Sequence, residues 1–193
     1  MPRKKSFSLK MFIHKTFRRL ERFVFLLKSL LTPRQFIYFS CVLVGISSAL
    51  AVIILKTFAH WVFKSAQKLD DIFHLPYSNS TLPIIGIIIT VIIVKKVLDG
   101  SIEKGTSQIM YAVAKKRGIM PRKQMFAQII TSSFTVGMGG SAGLESPITI
   151  TGAAFGSNYA QNYRLSYKDR TLLLACGVAA GIGAAFNAPI AGV

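Results

Sequence analysis

The stretch that decides the fold is Gly137-Met-Gly-Gly-Ser-Ala-Gly-Leu-Glu-Ser-Pro147, which interrupts an otherwise apolar part of the chain. Its glycines disfavour a regular helix through Gly143, because each glycine costs about 1 kcal/mol relative to alanine in a helix interior. The end of the stretch predicts a helix start, with Ser146 as the N-cap and Pro147 in the first turn. The sequence therefore predicts a broken helix, with Glu145 at the opening.

The predicted helix start favours an anion site. A helix N-terminus carries about half a positive charge and presents N–H groups that have no partner inside the helix. Glu145 is an anion tethered beside these donors. An acidic residue at membrane depth is costly and usually functional. The alternative, in which Glu145 only caps a helix, stays open.

Long uncharged blocks on both sides of the break predict an all-α integral membrane protein. The chain of 193 residues is 51% hydrophobic, and each block approaches the roughly 20 residues that cross a bilayer. Buried core helices of a soluble protein are the disfavoured alternative. The blocks are 35–55, 72–94, 124–144, 146–163 and 171–193.

The net charge of +17 alone would suggest a nucleic-acid partner. The bases flank apolar blocks, however, so the positive-inside rule explains them better and no nucleic acid is expected. Residues 1–34 combine bases with apolar residues at helical spacing. They predict a basic amphipathic segment on the cytoplasmic membrane face, in contact with lipid; a calmodulin-like target or an RNA-binding arm is the alternative. A second basic cluster at 115–123 predicts another cytoplasmic turn.

The blocks predict a first span over Gln35–Phe63, an external loop over Ser65–Thr81 and a return span over Leu82–Val94. Asp99-Gly100 predicts a turn. The helix that includes Ile109–Val113 is too short to span, so it predicts a re-entrant element whose ends are satisfied by protein or water.

Further along the chain, Asn158–Arg170 predicts a polar connection between two helices rich in small residues. Gly152/Gly156 and Gly177/Gly181 both have the Gly-x-x-x-Gly spacing of close helix contacts. Asn187 and Pro189 predict a second break, with Asn187 capping the next helix and Pro189 in its first turn. Cys41 and Cys176 lie in apolar blocks and are interpreted as free thiols.

Two stretches carry a family resemblance. Gly139–Pro147 is similar to the glycine-rich signature, with a glutamate shortly before proline, of the CLC chloride channels and proton-coupled antiporters. Gly181–Val193 resembles the helix–break–helix segment of the same family. The resemblance implies tilted, partly broken transmembrane helices in two inverted halves. It also implies that residues 35–193 form a partial membrane domain, truncated within the first half, after the N-terminal segment 1–34.

The resemblance matches Glu145 to the family's gating glutamate, whose ionised side chain occupies an anion position until it swings away or is protonated. Gly143, Leu144 and Ser146 then border the anion. Leu144 stands where a basic residue is frequent, and Ser146 where glycine is commoner.

A second family turn, which supplies a serine hydroxyl to the central anion, is less intact. One register places Lys104-Gly105 at the serine–glycine pair and Ser107 at the proline. A register shifted by one step would use Thr106 or Ser107 as the hydroxyl donor. In the first register Lys104 either replaces the hydroxyl with a positive charge or snorkels to the cytoplasmic surface.

The expected function is transport of an anion, chloride before others, by a voltage- or pH-gated channel or an anion/proton antiporter. The resemblance implies a homodimer, and the expected location is a bacterial inner or plasma membrane with the N-terminus cytoplasmic. The alternative is a non-transporting membrane subunit or degenerate relative, favoured by Lys104 and by the end of the chain in an apolar run.

An enzyme is not expected, and neither a metal nor a cofactor is predicted. The sequence has no Ser/His/Asp constellation and no cluster with metal-ligand spacing. Gly137–Gly143 lacks the Gly-Lys-Ser/Thr ending of a Walker phosphate loop.

Overall fold

The computed structural model describes residues 32–73, 78–97 and 105–192, and the regular structure in these ranges is helical. The predicted all-α architecture with broken helices is confirmed. The chain divides into two compact units, Met1–Ser40 and Cys41–Val193. The elements are α1 (Pro33–Phe73), α2 (Ser78–Val97), α3 (Ser107–Lys115), α4 (Gln124–Gly137), α5 (Glu145–Asn162), α6 (Tyr167–Phe186) and a 3₁₀ turn (Pro189–Gly192).

In the first unit, the described residues are those at the start of α1. The Thr32 N–H donates to Gln35 Oε1 at 3.2 Å, and the Phe36 N–H donates to the Thr32 carbonyl at 3.0 Å. Pro33 suits the first turn, where its missing N–H has no partner to lose. The predicted amphipathic segment 1–34 lies almost entirely outside the described residues, so it and the boundary after residue 34 stay predictions.

Helix α1 is longer than the sequence predicted. It has 41 residues and continues to Phe73, and α2 begins at Ser78, so the predicted loop over Ser65–Thr81 was wrong. Polar residues suggested a loop, but residues 65–73 contain neither glycine nor proline and include good helix formers. Polarity in this segment does not terminate the helix.

Not every predicted apolar block is a complete spanning helix. Within the described ranges, two segments, Pro33–Lys68 and Tyr167–Phe186, are long and apolar enough to cross a membrane. Helix α3 has 9 residues and α4 has 14, which is short of the roughly 20 needed. In a bilayer, a helix of this length would start or end at membrane depth, where protein or water must satisfy its terminal groups.

The outer face of α2 is apolar and exposed. Between Ile84 and Ile92, the exposed large side chains are those of Ile84, Ile85, Ile87, Ile88, Val91 and Ile92. A continuous apolar surface of this kind is unfavourable in water and suits contact with lipid.

Helices α5 and α6 pack so closely that backbone touches backbone. A Cβ at Gly152 would overlap the Gly177 carbonyl, and a Cβ at Gly177 would overlap the Gly152 carbonyl. The Gly156 position faces Leu173 in the same way. The contact predicted from the glycine spacing is therefore confirmed at these three glycines. Gly181 has more room, since its nearest neighbour is Ile148 at 3.5 Å from an added Cβ.

The connection between α5 and α6 is shorter than predicted. Helix α5 runs to Asn162 and α6 begins at Tyr167, so most of the predicted polar connection Asn158–Arg170 is helical. Ser166 is the N-cap of α6, and its Oγ accepts a hydrogen bond from the Asp169 N–H at 3.3 Å. This local cap starts α6 four residues earlier than the apolar block indicates.

Candidate functional site

The break between α4 and α5 is an ordered loop. Helix α4 ends at Gly137, and Gly139 has a φ of +88°, a conformation that glycine adopts without strain. The Gly140 N–H donates to the Thr135 carbonyl at 2.9 Å, and the Ala142 N–H donates to the Gly140 carbonyl at 2.9 Å. These bonds fold the loop back on the end of α4 and set the position at which α5 begins.

The first turn of α5 presents free N–H donors beside a carboxylate. Its first backbone hydrogen bond runs from the Ile148 N–H to the Leu144 carbonyl at 3.0 Å. Pro147 has no N–H, so Glu145 and Ser146 hold the first-turn N–H groups that lack an intrahelical acceptor. The Glu145 side chain is exposed. These features suit an anion at the helix start.

Leu144, and not the predicted Ser146, is the N-cap of α5. No side chain caps this helix start, and Ser146 lies in the first turn, where its carbonyl accepts a hydrogen bond from Thr149 Oγ1 at 2.8 Å. Leu144 is half-buried against an apolar cluster that includes Leu55 of α1 and Ile148 of α5. Burial of Leu144 in this cluster starts the helix two residues before the position that local capping preference indicated. Because the Leu144 side chain packs in this cluster, only the backbone of Leu144 could contact an anion.

The turn before α3 approaches the same helix start. Gly105 has a φ of +59°, and a Cβ built on it would lie 3.6 Å from Ser146 Oγ. Thr106 is the N-cap of α3 without a side-chain cap bond, and both Thr106 and Ser107 are exposed. The structure therefore brings the two predicted motifs together at the starts of α3 and α5. Lys104 lies outside the described residues, as does Asp99-Gly100.

The second break ends α6 in a way that differs from the prediction. Asn187 has left-handed backbone angles (φ 52°, ψ 31°) and is the C-cap of α6, so its predicted role as cap of the next helix was wrong. The Ala188 N–H donates to the Gly183 carbonyl at 3.1 Å, which is a common helix termination. Asparagine tolerates left-handed angles better than most residues. Pro189 opens the 3₁₀ turn, as its place in a first turn predicted.

The two breaks are neighbours in the fold. Ile148 in the first turn of α5 and Ala185 in the last turn of α6 belong to one apolar cluster with Leu55 of α1. Lys56, next to Leu55, donates from Nζ to the Ala185 carbonyl. This contact was not predicted from the sequence, although Lys56 is the cation that directly follows the first uncharged block.

A cavity of about 210 Å³ adjoins the break. Gly143 and Pro147 line one end of it, and Val94 and Gln124 are also among its lining residues. Polar side chains of α4 line much of its wall. The sequence alone did not predict this cavity, although the polar residues of α4 recur at helical spacing.

The donors at the break suit an anion better than a metal. In the described ranges, no group of three His, Cys, Asp or Glu side chains is placed to hold a metal ion. The groups at the starts of α3 and α5 are backbone N–H groups, the hydroxyls of Thr106, Ser107 and Ser146, and a single carboxylate, that of Glu145.

This fold of broken helices, with segments long and apolar enough to cross a membrane, defines a class of helical membrane proteins. The chain matches the family model of the voltage gated chloride channel over residues 84–193, which is more than half of its length. It therefore belongs to the voltage gated chloride channel family and is a membrane-embedded protein. The matched region begins in α2 and includes both breaks.

Two curated relatives match part of the chain. A putative chloride channel protein ClcB-like of Ralstonia nicotianae is 38% identical over 93 residues, which are 46% of this chain and 22% of that protein. The chloride channel protein CLC-c of Arabidopsis thaliana is 38% identical over 88 residues, 39% of this chain and 11% of that protein. The matched segments thus cover less than a quarter of either relative.

Proposed function

We propose that the protein transports an anion, with chloride as the first candidate, and that Glu145 is its gate. The observation that carries this proposal is the first turn of α5, where the N–H groups of Glu145 and Ser146 have no intrahelical acceptor and a carboxylate is attached beside them. Membership of the voltage gated chloride channel family and the names of both relatives, which are called chloride channel proteins, support chloride as the transported anion.

The gate works by competition for donors. An ionised Glu145 and a free anion are both attracted to the positive end of α5, and they cannot occupy it together. Protonation of Glu145, or rotation of its side chain, leaves the donors to the anion. Gly143, Leu144 and Ser146 contribute backbone groups on the α5 side.

The turn before α3 supplies the other side of the proposed anion position. Gly105 lies against Ser146, and Thr106 and Ser107, which follow Gly105 in the chain, are the candidate hydroxyl donors on this side. Lys104, directly before Gly105, adds a positive charge or reaches the cytoplasmic surface. If Lys104 occupies the position of the family's serine, the hydroxyl of Thr106 or Ser107 can replace the serine hydroxyl as a ligand of the anion.

The proposal extends to the whole protein. Transport takes place as a channel or as an anion/proton antiporter, in a homodimer embedded in lipid. The location is a bacterial inner or plasma membrane with the N-terminus in the cytoplasm, and no enzymatic reaction is involved.

The gating role of Glu145 is tested by chloride flux from liposomes that hold the full-length protein. The flux of the Glu145→Gln and Glu145→Ala variants is compared with that of the unchanged protein. Glutamine cannot ionise, so it should change flux several-fold and remove the part of the pH dependence that arises from this carboxylate. Asp169→Asn is the matched control, because it removes the same charge from the first turn of α6, where Asp169 pairs with the Ser166 cap. Unchanged flux at every pH in both Glu145 variants would exclude the gating role.

A proton gradient in the same liposomes separates the possible transport modes. Chloride that drives protons uphill indicates an antiporter, and chloride flux without proton movement indicates a channel. If neither the unchanged protein nor its Lys104→Ser variant transports an anion, the protein is the non-transporting membrane subunit.

A further inference from the structure

Two arginines stand in turns whose backbone angles favour glycine. Arg117, just after α3, has a φ of 51°, and Arg164, just after α5, has a φ of 50°. Glycine is the usual residue at this place behind a helix, because a side chain is strained at such angles. Both arginine side chains are exposed. Local backbone preference therefore does not explain why arginine stands at both turns.

A third arginine holds the two turns together. Arg170 Nη1 donates to the Arg117 carbonyl at 3.1 Å, and Arg170 Nη2 donates to the Leu165 carbonyl at 3.3 Å. Because one planar guanidinium makes both bonds, the two carbonyls are close neighbours. Leu165 directly follows Arg164, so the turns behind α3 and α5 lie side by side. Arg117 and Arg164 thus share one small area of the surface.

Positive charge exceeds negative charge in this area. From residue 105 onward, the acids of the chain are Glu145 and Asp169. Glu145 lies at the opposite end of α5 from this area, and the Asp169 carboxylate accepts a hydrogen bond at 2.7 Å within the cap of α6. Lys116, directly before Arg117, and Lys168, in the first turn of α6, are both exposed. The described residues here therefore favour an anionic ligand.

Apolar and aromatic side chains border the same area. Ile119 is 43% exposed, Tyr167 47% and Leu172 48%. Tyr167 opens α6, and its Oη donates to the Val113 carbonyl of α3 at 3.3 Å. Exposed bases beside tyrosine and apolar side chains are typical of the level at which lipid headgroups meet acyl chains. A soluble anion gains nothing from the apolar border, whereas a lipid contacts both parts.

We propose that Arg117 and Arg164 bind the phosphate of an anionic phospholipid at the end of the membrane domain where α3 and α5 terminate. A guanidinium can donate two parallel hydrogen bonds to phosphate oxygens, which suits two exposed arginines held side by side. Arg170 is a positioning residue, because its own guanidinium is engaged with the two turns. The acyl chains lie against the apolar border. The site does not depend on which anion the protein carries, or on whether it transports one.

Native mass spectrometry of the full-length protein in detergent tests this site. Bound lipids are counted as the concentration of phosphatidylglycerol, which is anionic, or phosphatidylcholine, which is zwitterionic, is raised. The variant Arg117→Gln/Arg164→Gln removes both charges and leaves Arg170 in place. Lys64→Gln/Lys68→Gln is the matched control, since it removes two charges from exposed positions on α1.

We expect the unchanged protein to bind phosphatidylglycerol at least roughly tenfold more tightly than phosphatidylcholine, because bases near a lipid surface attract anionic headgroups. The Arg117→Gln/Arg164→Gln variant should lose most of this preference, and the lysine control should keep it. Equal affinity of the unchanged protein for both lipids would overturn the proposal. An equal loss in the lysine control would also overturn it, since general charge and not this site would then hold the lipid.

The variant Arg117→Gly/Arg164→Gly separates lipid binding from folding. Glycine adopts a positive φ without strain, so this variant should unfold in lipid-free detergent at the same temperature as the unchanged protein or above it. Its affinity for phosphatidylglycerol should fall as in the glutamine variant. Retained affinity would show that the arginines are not the ligands.

Inorganic phosphate, added at constant ionic strength, distinguishes a lipid from a soluble ligand. We expect phosphatidylglycerol to stay bound, because inorganic phosphate has no acyl chains to contact the apolar border. Displacement of the lipid by inorganic phosphate at concentrations similar to that of the lipid would assign the site to a soluble phosphate and contradict the lipid assignment.

Discussion

Leu144 and Glu145 are neighbours in the sequence but have opposite surroundings. Leu144 packs into the apolar cluster of α1, α4, α5 and α6, while the Glu145 side chain is exposed at the opening of α5. Burial of Leu144 fixes where the helix starts and therefore where the carboxylate is held. Leu144 thus acts through packing, which explains how an apolar side chain can stand next to the proposed anion site.

At the residue scale, we expect Lys56→Met to lower the free energy of unfolding by about 1–2 kcal/mol, because the Ala185 carbonyl at the end of α6 loses a charged donor. Thermal unfolding in detergent micelles measures this change. Lys68→Met is the control, since Lys68 is exposed on the same helix. Equal stability of the two variants would show that the contact between Lys56 and Ala185 contributes nothing.

The glycines of the two Gly-x-x-x-Gly motifs in α5 and α6 do not all make equally close contacts. Gly152, Gly156 and Gly177 leave no space for a Cβ, whereas Gly181 has its nearest neighbour at 3.5 Å. Gly177 and Gly181 are one turn apart, and the helices diverge enough within that turn to admit a methyl group. The separation of helix axes, which the motif does not encode, decides which glycine is required.

At the element scale, Gly177→Ala should destabilise the protein by about 1–3 kcal/mol, because the added methyl group overlaps the Gly152 carbonyl. Gly181→Ala should be neutral or slightly stabilising, since alanine favours helix over glycine by up to about 1 kcal/mol. Thermal unfolding of both variants in one detergent distinguishes them. Similar losses at both positions would contradict the geometry of the α5–α6 contact.

The basic end of the second unit is held together by polar contacts. Arg170 Nη1 donates to the Arg117 carbonyl at 3.1 Å, and Arg122 Nη2 donates to Asn162 Oδ1 at 2.5 Å. Ser157 Oγ donates to the Gly118 carbonyl at 2.6 Å and accepts from the Met120 N–H at 2.9 Å. The turn between α3 and α4 is therefore docked on α5 and α6, and their cations lie at one end of the helices.

At the scale of the whole molecule, we expect this basic end to face the cytoplasm, as the positive-inside rule requires. Lys116→Cys and Lys168→Cys, both at exposed positions, should react with a membrane-impermeant thiol reagent only from the cytoplasmic side. Lys64→Cys, on the far part of α1, should react only from the opposite side. Labelling of all three from one side would contradict this orientation.

The sequence by itself determined the helical membrane class, the two breaks, the glutamate at the first break and the family resemblance that the match over residues 84–193 confirms. These follow from local properties: apolar length, glycine density, and the backbone preferences of proline. The donors of the proposed anion site also follow from the sequence, because a helix start presents free N–H groups wherever it lies. The roles of the individual site residues stay predictions.

Only the tertiary structure decided which residues begin and end the helices at the breaks. Burial of Leu144 displaced the cap from Ser146, and left-handed angles made Asn187 the end of α6 and not the start of the next element. The pairing of Gly105 with Ser146, the contact of Lys56 with Ala185 and the cavity along α4 join residues distant in the chain. Local preferences differ by about 1 kcal/mol, and burial against neighbouring helices outweighs them.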